Sequence, residues 1–149
     1  MPVPPTSLQS IEDTDAFAAE LARSIKPGDS LGLTGNLGAG KTHLAKFLVA
    51  HLGVERDVSS PTFTLINEYN GSTARIAHFD FYRIKTEQEL IEIGWDDYHD
   101  NETILIVEWA NRFPAMMAQE TRWFDLRSIN ESTRLITELT QAPEQHIDD

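Results

Sequence analysis

The chain has 149 residues, of which 24 are acidic and 12 basic, and its formal net charge is −12 at pH 7. This balance argues against a large nucleic-acid-binding face, because phosphate backbones are bound by clusters of Lys and Arg. The sequence has no cysteine, which excludes a disulfide framework and a zinc site built on thiolates. The length suits one domain, and we expect a single unit over residues 1–149 with loose tails at 1–6 and 141–149.

No apolar stretch of the sequence is long enough to span a membrane, and the first five residues lack the features of a signal peptide. We therefore expect a cytoplasmic protein with no membrane contact. If the protein acts on a nucleic acid, its acidity favours a partner protein that holds that nucleic acid.

The first third of the chain predicts a helix, a strand and a second helix, in that order. Residues 13–25 carry apolar side chains at helical spacing, with Asp13 or Thr14 as the predicted cap. The apolar run at 30–34 predicts a short buried strand, and residues 43–52 predict the second helix. A strand that leads into a helix is the setting in which a glycine-rich loop can bind phosphate.

The sequence G-N-L-G-A-G-K-T at 35–42 joins this strand to this helix and matches the Walker A pattern. Glycines let the backbone curl around a phosphate, and the helix N-terminus adds N–H groups and a partial positive charge. We expect Lys41 to reach the β- and γ-phosphates and the Thr42 hydroxyl to ligate Mg²⁺. The predicted nucleotide-binding residues of this segment are Gly35, Leu37, Gly38, Ala39, Gly40, Lys41, Thr42 and His43.

The remaining elements alternate between strands and a short helix. Two β-rich runs, at 63–69 and 75–81, flank the turn signal Asn70-Gly71 and predict an antiparallel hairpin. The elements that follow are a short helix at 86–93, a buried parallel strand at 103–107 and a final strand pair at 121–129 and 133–140. Together they predict an α/β fold of the P-loop NTPase type. Its three-layer sandwich has a mixed, mainly parallel sheet and an antiparallel C-terminal strand pair.

Two carboxylates follow directly on predicted strands. Glu108 ends the apolar run 104–107, as a Walker B strand ends in an acid beside Mg²⁺. Asp80 closes the run 76–79, where it could hold a metal-bound water or position the attacking water. Ordinary solvent-exposed carboxylates at strand ends stay open as an alternative. The predicted catalytic residues are thus Lys41, Asp80 and Glu108, and the predicted metal ligands are Thr42 and Glu108.

Four further blocks carry a resemblance to a known family: S-P-T-F-T-L at 60–65, N-E-Y at 67–69, H-F-D-F-Y-R at 78–83 and V-E-W at 107–109. In this order and spacing, together with the Walker A segment, they resemble the TsaE (YjeE-like) family over about residues 14–140. That family is the ATPase subunit of bacterial tRNA threonylcarbamoyladenosine biosynthesis. The sequence departs from the family pattern at Asn36, where Asp is usual, at Phe81, where Leu is usual, and at Ala110 and Asn111 after V-E-W.

The resemblance implies a single P-loop ATPase domain that binds ATP or ADP with Mg²⁺ and hydrolyses ATP slowly by itself. It implies the partner proteins TsaB and TsaD, and hydrolysis linked to turnover of threonylcarbamoyl transfer to adenosine 37 of tRNA, the t(6)A37 modification. Contact with tRNA is then only indirect, through the complex.

The resemblance also implies that Thr62 acts as a switch residue near the γ-phosphate and that Arg134 contacts adenine. A turn-capping role for Thr62 stays open. Trp109 could support the nucleotide site, face a partner or fill the core. The histidines expected on the surface, rather than as ligands, are His43, His51 and His78.

Other classes of nucleotide-binding protein remain to be weighed. A small-metabolite kinase would share the Walker A segment, but the sequence has no arginine-rich lid to clamp a transferred phosphoryl group. A GTPase would need guanine-reading N-K-x-D and D-x-x-G motifs, and the sequence has neither. A nucleotide-dependent binding module without turnover stays open.

Overall fold

The computed structural model describes residues 5–55, 58, 60–61 and 64–143 of the chain. These residues form seven strands, which are β1 (Thr6–Leu8), β2 (Ser30–Gly35), β3 (Ile66–Asn70), β4 (Arg75–Asp80), β5 (Thr103–Glu108), β6 (Arg122–Ser128) and β7 (Arg134–Leu139). The described helices are α1 (Ile11–Ala22), α2 (Lys41–His51) and α3 (Glu87–Glu92), with short 3₁₀ turns at Trp95–Tyr98, Ala110–Arg112 and Pro114–Met116. No helix in these ranges has the length and apolar character needed to cross a membrane.

All seven strands belong to one sheet, in the order β1-β7-β6-β2-β5-β4-β3. The four central strands β6, β2, β5 and β4 run parallel to one another, whereas β3, β7 and β1 pair antiparallel with their neighbours. The mixed, mainly parallel sheet and the antiparallel β6–β7 pair are therefore confirmed. The strand β1 was not predicted, and Thr6, which the sequence analysis placed in a loose tail, lies in it.

Two apolar clusters cover the two faces of the sheet, which gives the predicted three layers. On one face α1 and α2 pack against side chains such as Ile76 and Ile106. On the other face α3 and the 3₁₀ turns pack against side chains such as Phe79 and Val107. Because side chains alternate along a strand, the even-numbered positions of β4 and β5 project towards α2. This alternation decides which polar side chains can meet the start of α2.

Several element boundaries differ from those predicted; a side-chain hydrogen bond explains one of them and a backbone conformation explains another. The side chain of Ser10 accepts a hydrogen bond from the backbone of Asp13 and caps α1, so the predicted caps Asp13 and Thr14 are wrong. The strand β3 begins at Ile66 because Leu65 has a left-handed backbone with φ of 70°. The part of the predicted run 63–69 at Phe63 lies outside the described residues.

Candidate functional site

The Walker A segment 35–42 begins at the last residue of β2 and ends in the first turn of α2, which starts at Lys41, two residues before the predicted start of this helix. Gly35, Gly38 and Gly40 have positive φ values of 138°, 82° and 106°. A Cβ atom at Gly35 would lie 2.3 Å from the carbonyl oxygen of Leu126 on the neighbouring strand, so this position admits only glycine. Gly40 is the N-cap of α2 and makes no side-chain cap hydrogen bond, which leaves the first N–H groups of the helix facing the loop.

Lys41 lies folded into this loop. Its side chain is 4% exposed, and its Nζ atom donates hydrogen bonds to the backbone carbonyls of Gly35 at 2.5 Å and Asn36 at 2.8 Å. The same Nζ atom lies 4.0 Å from the ring centroid of Trp109. The ammonium group is therefore already inside the loop, where phosphate oxygens can replace the two carbonyls as acceptors.

Glu108 is a buried acid with a partner on each of its carboxylate oxygens. It is 2% exposed, and its Oε1 atom accepts a hydrogen bond of 2.6 Å from the Thr42 hydroxyl. Its Oε2 atom lies 2.7 Å from Nε2 of His78. The Thr42 hydroxyl can donate its hydrogen to Glu108 and still offer an oxygen lone pair to a cation. This is the relation between a Walker A hydroxyl and a strand-end acid that a metal–nucleotide complex needs.

Asp80 lies beside Glu108, since each is the last residue of its strand at the carboxyl ends of the parallel strands. The two residues are direct partners in the parallel β4–β5 pair, and Asp80 is 3% exposed. Its Oδ1 atom accepts a hydrogen bond of 2.8 Å from the backbone N–H of Tyr82. β4 is separated from the loop-bearing strand β2 by β5, so Asp80 stands one strand further from the loop than Glu108 does. Neither carboxylate is an ordinary solvent-exposed group.

A cavity of about 670 Å³ joins these groups, a volume within the usual range of small-molecule sites. It extends from the loop to the start of α1 and to the turn between β6 and β7. The predicted site residues that line it are Leu37, Gly38, Gly40, Lys41, Thr42, His43, Asp80, Glu108 and Arg134. Gly35 and Ala39 do not line it. Thr62 lies outside the described residues.

Several lining residues were missed by the sequence analysis. Tyr82 is 41% exposed, and its ring lies 4.8 Å from the ring of Trp109 at an interplanar angle of 44°. Trp109, whose role was left open, is 8% exposed and belongs to the apolar cluster on the α3 face, and it also lines the cavity and contacts Lys41. At the far end of the cavity the missed residues are Gln9, Ser10, Ile11, Thr14, Glu131 and Ser132. No local motif marks them, because they meet only through the fold.

The three histidines that were expected on the surface differ in their exposure. His43 and His51 are exposed, as expected, and His51 pairs with Asp15 at 2.6 Å. The expectation of a surface position is wrong for His78, which is 0% exposed and contacts Glu108. Its strand β4 lies between β3 and β5, and its side chain is on the α2 face, so neighbouring elements bury it.

The oxygen donors of the site suit Mg²⁺ better than a softer metal. Thr42, Asp80 and Glu108 offer hydroxyl and carboxylate oxygens, which hard cations prefer. Across the described ranges, no three His, Asp or Glu side chains are grouped to hold a metal by themselves. Mg²⁺ typically uses one or two carboxylates together with water and substrate phosphates, so this donor set fits a metal that arrives with a nucleotide.

Comparisons with known proteins agree with these features. The family model "Threonylcarbamoyl adenosine biosynthesis protein TsaE" matches residues 8–136. A protein of Bacillus subtilis named "tRNA threonylcarbamoyladenosine biosynthesis protein TsaE" is 40% identical over 126 residues, which cover 85% of this chain and 78% of that protein. A protein of the same name from Rickettsia felis is 32% identical over 143 residues, which cover 95% of this chain and 83% of that protein.

A solved structure shows the same fold. The crystal structure of YdiB from Bacillus subtilis superposes with a TM-score of 0.75 at 34% sequence identity, covering 93% of this chain and 86% of that one. The matched family model spans the sheet from β1 to β7 and includes the whole phosphate loop with both strand-end acids. On this similarity of sequence and structure, the chain belongs to the TsaE family.

Proposed function

We propose that the protein binds ATP with Mg²⁺ and hydrolyses it as the ATPase subunit of the machinery that forms t(6)A37 in bacterial tRNA. The observation that carries the ATPase part is the hydrogen bond of 2.6 Å between Thr42 and Glu108, beside a glycine-rich loop that holds Lys41. The names of the relatives support the tRNA modification part.

Each residue has a distinct role in this proposal. The backbone N–H groups at the start of α2 bind phosphate oxygens, and Lys41 transfers its hydrogen bonds from the loop carbonyls to the β- and γ-phosphates. Thr42 and Glu108 hold Mg²⁺, which when bound neutralises charge on the phosphates. Asp80 orients the attacking water from the neighbouring strand, since a carboxylate near the γ-phosphate would repel it in direct contact.

The extent of the cavity supports a proposed position for the rest of the nucleotide. Its far end is formed by the start of α1, the β6–β7 turn and Arg134, the first residue of β7. The Nη1 atom of Arg134 donates a hydrogen bond of 2.9 Å to the carbonyl of Asn130, so its guanidinium is held against the turn. We assign this end to the sugar and adenine. Thr62 is assigned to the γ-phosphate side as a switch residue.

The proposal includes TsaB and TsaD as partners in the cytoplasm, with tRNA reached only through the complex. The net charge of −12 supports indirect contact, because the chain would repel a phosphate backbone. In this proposal residues 1–149 act as one P-loop ATPase domain, without a membrane contact. A small-metabolite kinase is disfavoured, since Arg134 is the single arginine among the described residues that line the cavity.

The test is phosphate release from ATP, measured for the protein alone, with TsaB and TsaD, and with the complete set of substrates for t(6)A37 formation. We expect slow release alone and faster release in the complex. ATP binding without release in any mixture would instead identify a nucleotide-dependent binding module. Failure to bind ATP would overturn the proposal as a whole.

A further inference from the structure

His78 is a fully buried imidazole in contact with the proposed metal-binding acid. It pairs with Ile106 of β5 in register, two residues before the Asp80–Glu108 pair, on the face of the sheet covered by α2. From this deeper position its Nε2 atom reaches Oε2 of Glu108 at 2.7 Å. Its Nδ1 atom has no hydrogen-bond partner among the described residues. Nε2 is therefore the atom through which His78 interacts with the site.

The contact completes a chain of three side chains. The Thr42 hydroxyl donates to Oε1, and the proposed role of Glu108 as a metal ligand requires a carboxylate that only accepts hydrogen bonds, so we assign the hydrogen of His78 to Nε2, from which it donates to Oε2. The terminal torsion of a glutamate side chain has a broad, soft energy profile. Donors on both oxygens fix that torsion, whereas a donor on one oxygen leaves the carboxylate able to turn.

We propose that His78 is a positioning residue that holds Glu108 in the orientation in which its carboxylate meets Thr42. The inference rests on the proposed function, in which Thr42 and Glu108 hold Mg²⁺ beside ATP. His78 touches neither nucleotide nor metal in this arrangement, because Glu108 lies between them. Loss of the His78 side chain raises the Mg²⁺ concentration that ATP hydrolysis needs, and it does not change the phosphate loop.

Three variants separate positioning from simple filling of space. In His78→Gln the amide nitrogen is the same number of bonds from Cβ as Nε2 and can donate to Glu108. In His78→Asn the amide takes the place of Nδ1, which has no partner, and His78→Leu keeps bulk without any donor. The measurement is the Mg²⁺ concentration that gives half-maximal ATP hydrolysis in the complex with TsaB and TsaD.

We expect this Mg²⁺ concentration to rise about fivefold or more in the Leu and Asn variants, as expected for loss of a hydrogen bond to a charged group. In the Gln variant, we expect this Mg²⁺ concentration to stay within about twofold of its value in the parent protein. Binding of ADP without Mg²⁺, measured by calorimetry, is unchanged in all three. Equal effects of Gln and Leu would mean that His78 only fills space. If the Leu variant does not fold, the comparison of Gln with Asn decides.

Crystal structures of the nucleotide-free variants give a readout that does not depend on turnover. The inference requires that Glu108 turns away from Thr42 in the Leu or Asn variant and keeps its contact in the Gln variant. If Glu108 keeps the parent orientation in every variant, the inference is overturned, whatever the activity. If the parent protein fails to bind ATP, the proposed function fails, and the orientation of Glu108 still decides the role of His78.

Discussion

Lys41 places its ammonium group between two loop carbonyls and the ring of Trp109. The Lys41→Ala variant removes the single cationic side chain of the segment 35–42, so we expect ATP affinity to fall at least about tenfold, or about 1.4 kcal/mol. Calorimetric titration measures this loss. Lys46→Ala, on the same helix but not lining the cavity, is the matched control. Equal affinities of the two variants would contradict the phosphate assignment.

Substitution of Asp80 should separate ATP binding from ATP hydrolysis. The Asp80→Asn variant keeps an oxygen that can accept the hydrogen bond of Tyr82, so we expect the fold and ATP affinity to be preserved. Without the negative charge, hydrolysis in the complex should fall about tenfold or more, on the order of 1.4 kcal/mol in the barrier. Single-turnover phosphate release checks this, with the exposed Asp97→Asn as the charge control. Normal release by the Asp80 variant would leave Glu108 as the sole acid of the site.

Motifs predicted individual residues well where function depends on local backbone geometry. The structure brings Lys41, Thr42 and Glu108 together as the Walker patterns indicate, although their catalytic roles stay predictions. The sequence analysis failed at His78, because the burial of one imidazole depends on which strands flank β4. The apolar residues on both faces of β4, such as Ile76 and Phe79, indicate a strand that is buried on both sides, but the sequence analysis did not apply this signal to His78.

At the scale of elements, α3 depends on the residue that precedes it, the N-cap Thr86. The side chain of Thr86 accepts a hydrogen bond of 3.2 Å from the backbone of Glu89 and caps this six-residue helix. We expect Thr86→Ala to lower the free energy of unfolding by about 1 kcal/mol, the usual cost of a lost cap. Thr86→Asp, which keeps an acceptor, should cost less. Urea denaturation measures both, and an Ala variant as stable as the Asp variant would show that the cap contributes nothing.

The type and order of the longer elements could be predicted from hydrophobic spacing, whereas their ends could not. The start of α1 depends on the side chain of Ser10, and the start of β3 on the left-handed backbone of Leu65. The strand β1 has three residues, too few to show an alternating pattern. It forms because it can pair antiparallel with β7. Such features depend on single hydrogen bonds or on distant partners.

At the scale of the whole molecule, the excess of acidic residues should make stability depend on salt. Repulsion among like charges destabilises a compact chain, and salt screens it. We expect the melting temperature to rise with NaCl, mostly below about 0.3 M, where the screening length changes most. Glu92→Lys, an exposed site at the last residue of α3, should raise the low-salt melting temperature and reduce its salt dependence. A melting temperature that falls with NaCl in the parent protein would refute this account.

The order of strands in the sheet could not be predicted from periodicity, although the α/β class could. In the sheet, β5 stands between the loop strand β2 and the strand β4 that ends in Asp80, and no pattern within either strand indicates this order. Likewise, residues near position 10 and near position 132 form one end of the cavity because β1 pairs with β7. These relations are long-range, and a pattern within one segment does not record them.

The central place of β2 has a consequence for synthesis of the chain. β2 is flanked by β5 and β6, and Thr34 is bonded to Asp125, 91 positions later. The ribosome therefore synthesises the phosphate loop long before β5 and β6, the two strands that flank β2. A nascent chain that stops before Ser128 lacks part of β6. Contacts so distant in sequence form slowly. We therefore expect the loop to acquire its binding geometry only after the ribosome has synthesised β6, which ends at Ser128.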